Sequence, residues 1–179
     1  EKNDTETAKK IIEIKPDTVR IYPTIVLKDT ELAKYVLDGK YKPQTLDDAV
    51  TLCAKLSKMF NESSINVIRL GLHTIEQDSY VAGPWHPAFS ELCYSKLYLD
   101  KAFEMLKEKG EYIIYVNSSS ISKMIGQSRK NISELEKHLS LTSDSIDVVK
   151  SRRVLNKVIE KLKLNLTYNE LNEKVNVTS

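Results

Sequence analysis

The fold turns on residues 18–42, TVRIYPTIVLKDTELAKYVLDGKYK. Residues 19–27 form an alternating apolar run rich in branched side chains, the pattern of a strand. Pro23 limits how central the middle of that strand can be, because proline donates no ladder hydrogen bond. Asp29 or Thr30 then stands where an N-cap accepts from the free amides of a helix start, and Gly39 stands where the short helix ends.

Working outward, Ala8, Ile11, Ile12 and Ile14 make one face of a helix over residues 7–14, which Pro16 terminates. Downstream, Thr45 caps a helix over residues 45–60 with Asp47 and Asp48 in its first turn, where the helix dipole favours them. Ala49, Leu52, Cys53, Leu56, Met59 and Phe60 are its apolar stripe. Residues 65–72, INVIRLGL, are a second strand. Helix, strand, helix, strand with short links implies parallel strands joined by a right-handed crossover. The opening residues read as the end of a helix entering a strand, so the chain is expected to be a fragment of something larger.

Composition narrows the classes. The chain has 179 residues, 41% of them hydrophobic, with 27 basic against 25 acidic side chains. That is enough for one good core or two modest ones, and the balanced charge gives no bulk field for nucleic acid or membrane. Any such role has to rest on a local patch. Cys53 and Cys93 sit inside apolar helical patterns and read as buried reduced thiols rather than metal ligands. No apolar run reaches the roughly 18 residues of a membrane span. A cytoplasmic protein with no membrane partner is expected.

Residues 78–87 carry the breakers Gly83-Pro84 and His86-Pro87 and are expected to be a linker. Tyr80, Trp85 and His86 either line a pocket mouth or surround Trp85 as an anchor between two units, with His86 available as a proton carrier. A long helix over residues 88–109 follows, then a strand over 111–117 and a short helix, ISKMI, capped by residues 118–120 and ended by Gly126. A helix over 129–139, a strand over 145–150, a closing helix over 154–166 and a polar tail from 167 complete the chain. The expected division is therefore 1–77, the linker 78–87, an α/β domain over 88–166, and the tail 167–179.

The run VRIYPTIVLKDTELAKYVLDGKYKP, followed by a helix and VIRLGL, resembles the last barrel segment of radical S-adenosylmethionine (radical SAM) enzymes. It is closest to the branch holding the Elongator catalytic subunit and the oxygen-independent coproporphyrinogen oxidases. There the sixth strand is followed by a G-T-x-L turn, a short helix, a Gly and a Tyr. Here those positions are Asp29 (in place of the usual Gly), Thr30, Leu32, Gly39 and Tyr41. The resemblance covers residues 14–73 and continues less specifically through GPWHPAF. It implies an α/β fold, the C-terminal end of an incomplete (β/α) barrel, whose ligands lie at the C-terminal ends of the strands. The cofactor- or substrate-side residues are then Tyr22, Pro23 and Thr24 on the first strand, Arg69 and His73 on the second, and His86. Arg20, inside an apolar run, is expected to be held by an ion pair with Asp17, Asp48 or Glu13.

The family's cluster motif, C-x3-C-x2-C, which binds a [4Fe–4S] cluster through three thiolates, does not occur in this chain. No cofactor and no metal site is expected within it, and it is expected to be inactive alone. The resemblance implies that S-adenosylmethionine and the iron–sulfur cluster belong to a parent protein, whose N-terminal barrel segment is the implied partner. A severed barrel leaves open sheet edges, so self-association, or long helices folding over the exposed face, is expected.

The order strand, helix, turn, helix, strand over residues 112–149 resembles the βααβ unit of KH domains. ISKMIGQSRKNISELEKHL stands against the KH pattern I-G-x-x-G-x-x-I. Gly126 is present, while the second glycine position is Arg129. The resemblance implies an RNA-holding turn at Lys123, Gly126, Gln127, Arg129 and Lys130. Three readings follow: a radical SAM enzyme fragment with a KH-like unit for RNA such as tRNA, a nucleic-acid-binding module, or a non-catalytic scaffold.

Overall fold

A computed structural model of the chain describes residues 2–73 and 75–150. The helix expected over 154–166 and the tail lie outside the described residues. The chain divides into two compact units between Leu97 and Tyr98.

In the first unit α1 (Lys2–Ile14) precedes β1 (Thr18–Ile21), β2 (Val26–Leu27), α2 (Glu31–Leu37), α3 (Leu46–Glu62), β3 (Asn66–Leu70) and β4 (Tyr80–Ala82). The helix α4 (Phe89–Met105) begins in this unit and runs past the boundary into the second. The strands β1 and β3 pair in parallel, with Thr18 opposite Asn66 and Ile21 opposite Leu70. The helix α3 connects them and buries Ala49, Leu52, Cys53, Leu56 and Phe60 in a core shared with Ala8, Ile21, Ile65, Leu70, Phe89 and Cys93. Each large apolar side chain buried there contributes about 1.5–3 kcal/mol. Both short-range helix starts follow from their caps. The Thr30 hydroxyl accepts from the Ala33 amide at 3.2 Å and donates to the Leu27 carbonyl at 2.7 Å. The Thr45 hydroxyl accepts from the Asp48 amide at 3.1 Å.

Three sequence expectations are corrected. The single strand over 19–27 is two short strands, because Pro23, itself buried, interrupts the ladder and residues 22–25 leave it. The linker over 78–87 contains β4, which pairs antiparallel with β2, Val26 facing Ala82. The segment is thus part of the first unit, and the division between units falls inside α4 rather than at residue 88. Ile14, placed on the inner face of its helix, is 75% exposed, while Ile11 and Ile12 pack against the core.

In the second unit β5 (Tyr112–Val116), α5 (Ile121–Ile125), α6 (Lys130–His138) and β6 (Ile146–Lys150) give the expected strand–helix–helix–strand order. The strands are parallel neighbours in unbroken register from Tyr112 opposite Ile146 to Val116 opposite Lys150. Met124, Ile132 and Leu135 of the two helices bury themselves with Ile114, Val116 and Ile146 and with Leu99 and Ala102 of α4. Ser118–Ser120 forms a 3-10 turn whose cap is Asn117, accepting from the Ser119 amide; Ser120 makes no side-chain cap to α5. The cap thus sits one residue upstream of the expected serines, and the Ser120 hydroxyl instead accepts from the Tyr98 hydroxyl at 2.7 Å.

Candidate functional sites

Alternation along the paired strands decides what each face of the first sheet carries. Val19 and Ile21 of β1 point to the helix side, as do Val67 and Leu70 of β3. Arg20 lies between the first two and so faces the other way. Arg69, next to Leu70, does the same. The register slips by one residue between Val19 and Arg20, which puts Arg69 directly opposite Arg20 and leaves Ile68 as the extra residue. The outcome is an open face with Arg20 exposed, Ile68 50% exposed and, just beyond the strand, Tyr22 45% exposed.

Arg69 and His73 meet. A guanidinium nitrogen of Arg69 donates to His73 Nδ1 at 2.7 Å, so the imidazole proton sits on Nε2 in this arrangement. Arg69 also lines a cleft of about 320 Å³ with Leu70, Gly71, Leu72, Phe89, Ser90 and Tyr94. That volume is at the small end of ligand sites. Gly71 shapes one wall of it. Its φ is +90°, and a Cβ there would lie 2.9 Å from the Phe89 ring, so only glycine lets the strand end pass that close.

The other expected site residues divide. Tyr22 and Thr24 are exposed on the link between β1 and β2, and Pro23 is buried. His86 Nδ1 accepts the Ala88 amide at 3.0 Å, which makes it a cap for the start of α4, with Nε2 left to carry the proton. Trp85 packs at 6.4 Å from the Tyr80 ring, whose hydroxyl donates to the Gly83 carbonyl at 2.6 Å. Arg20 corrects an expectation: it is exposed and has no ion pair among the described residues, so it needs no buried partner. Its outward orientation was missed because an interrupted nine-residue run hides the period-two alternation that puts it there.

The two thiols are core groups. Cys53 is 4% and Cys93 0% exposed. Burial, with a smaller contribution from Asp4, pushes the Cys53 thiol up to about 11. Burial pushes Cys93 higher still, with Cys53 adding to it. Protonated, enclosed thiols do not fit a [4Fe–4S] cluster, which takes thiolates. Among the described residues no three His, Cys, Asp or Glu side chains are grouped to hold a metal ion.

In the second unit the basic turn is a real structural feature. Gly126 has φ +75°, and a Cβ there would crowd Asn131 at 3.0 Å, so both the backbone and the space favour glycine. Ser128 and Arg129 follow in left-handed conformations, φ 50° and 61°. Arg129 therefore adopts the backbone region that a second glycine favours, at a cost of order 1–3 kcal/mol. Asn131, 4% exposed, braces the turn by donating to the Lys123 carbonyl at 3.1 Å. Arg129 immediately precedes α6, whose first turn has no side-chain cap, and it reaches Asp144 at 3.5 Å on the surface. Lys123, Gly126, Gln127, Arg129 and Lys130 are thus gathered on one turn and its flanks.

Residues 16–99 match the family model described as the radical SAM C-terminal domain. The match supports a radical SAM C-terminal part over these residues, and it spans the first unit from the end of α1 into α4. No curated protein and no solved structure matches the chain. Among the described residues no helix is long and apolar enough to cross a membrane.

The thiols generate a prediction. Because the folded-state Cys53 pKa lies above the unfolded value of 9.0, the folded chain holds its proton where the unfolded chain has lost it. That contribution to stability is fully present below pH 9.0 and is lost as pH rises through about 11. Denaturation midpoints should fall across that window, and more steeply than in Cys53→Ala. Equal slopes in the two proteins would contradict the assignment.

Proposed function

We propose that this chain is the C-terminal, substrate-side part of a radical SAM enzyme of the Elongator and coproporphyrinogen oxidase-like branch. The observation that carries the reading is the family match over residues 16–99, laid on a parallel strand pair with helices on one face and none of the core on the other. Parallel sheets are normally covered on both faces, so the open face suits completion by further barrel strands. The parent protein would supply the remaining barrel, the three cluster cysteines and S-adenosylmethionine. This chain would supply wall: Tyr22, Thr24, Arg69 and His73 at the strand ends, with Pro23 and His86 holding the local backbone. Reduced core thiols suit a cytoplasmic protein. Anaerobic incubation of the chain with iron and sulfide should yield no stoichiometric [4Fe–4S] cluster. A stoichiometric cluster would overturn the division of labour.

A second reading concerns the βααβ unit. We propose that the turn at residues 126–129 is a KH-like contact for RNA, with tRNA the substrate of the parent. The left-handed pair Ser128 and Arg129 and the uncapped start of α6 favour it, since oriented amides beside cations attract phosphate. Binding of the chain to tRNA should weaken with salt, and Arg129→Gln and Lys130→Gln should each lower the slope of log affinity against log salt by about 1. No binding at low salt, or unchanged slopes, would leave the unit a scaffold.

A further inference from the structure

The open face of the first sheet contains an arrangement that the family reading does not require. Arg20 and Arg69 are register partners on adjacent parallel strands. Neighbouring strands lie about 4.8 Å apart, and like charges directly opposite each other oppose pairing. A sheet normally relieves this with an acidic neighbour. Here neither arginine has an ion pair among the described residues. Among the described residues Arg69 meets His73 through the lone pair of Nδ1, which brings no negative charge in that form.

We propose that Arg20 and Arg69 form a two-guanidinium receptor for one anionic group, a carboxylate or a phosphate, carried by a small organic ligand. The placement is imposed by the fold rather than by flexible chain. The Val19 and Val67 pair below and the Ile21 and Leu70 pair above are anchored in the core, which fixes both arginines on the opposite face. Guanidinium groups suit the role because each offers a planar fork to the two oxygens of an anion. Arg69 also lines the 320 Å³ cleft with Ser90, Tyr94, Phe89 and Gly71, while Arg20 does not. Ile68 and Tyr22 offer apolar surface beside the charges. Arg20 thereby becomes a binding residue rather than a structural ion-pair member. The inference rests on reading the C-terminal ends of β1 and β3 as the ligand side.

The test uses the whole 179-residue chain and follows the arginine Nε–Hε and residue 69–72 amide signals by NMR. Inorganic pyrophosphate is the phosphate probe and tricarballylate the carboxylate probe, each titrated at constant ionic strength. At least one should give saturable shifts, and the tighter of the two names the ligand's anionic group. Arg20→Gln and Arg69→Gln should each weaken it at least tenfold, the corresponding lysine variants less, and Lys9→Gln on α1 not at all. Arg20 is exposed, so its variant tests binding without disturbing the core. Non-saturable shifts, or equal affinities in the Arg20→Gln and parent chains, would overturn the receptor. The family reading fails separately, through cluster formation on the isolated chain, and that result would not move these affinities.

Discussion

The parallel pairing of β1 with β3 is the constraint on which the first unit depends. Parallel neighbours need a long crossover, and α3 provides it, capped by Thr45 and ending one turn before β3. The crossover covers one face of the pair and commits Val19, Ile21, Val67 and Leu70 to it. Everything of opposite parity is then left outward, including two arginines and a histidine bonded to one of them. The same register slip that faces Arg69 to Arg20 brings the end of β3 to Gly71, where the close approach of Phe89 sets the wall of the cleft. Core formation and the exposure of these residues are thus one event here: the residues that pack decide which residues cannot.

The second unit shows the same logic at a turn. Its two helices bury Met124, Ile132 and Leu135 against a parallel strand pair, and the chain must reverse between them within a few residues. Gly126 fits against Asn131, and Asn131 ties back to Lys123. Those contacts hold Ser128 and Arg129 in conformations that non-glycine residues seldom adopt. The strain is local and the bracing is local. Arg129 and Lys130 thus stand side by side where the backbone has little freedom left.

Much of this was legible in sequence. Helix positions followed from Thr30, Thr45 and the apolar stripe of α3, since caps and periodicity act over one or two turns. The parallel pairing followed from the helix–strand order, and the βααβ order from its apolar segments. What escaped was set at longer range. The strand β4 is three residues long and exists through its pairing with β2, so no local pattern announces it. The unit boundary fell inside α4, where the apolar pattern is continuous while the two cores it serves are not. Arg20 looked like a buried charge because residues 19–27 read as one run; Pro23 broke that run, and four residues of β1 were left to alternate on their own. His86 read as a proton carrier, and its capping through Nδ1 escaped because that depends on where α4 begins.

The central claim is that the face of β1 and β3 away from α3 is open, as the proposed anion receptor requires. Cysteine substitution measures it directly, since the native thiols are enclosed. At low protein concentration, Ile68→Cys should react with a thiol reagent at close to the rate of an unstructured peptide, while Ile21→Cys should be protected at least a hundredfold. Comparable protection at the two positions, undiminished by dilution, would mean that the face is covered within the chain itself and would contradict the account.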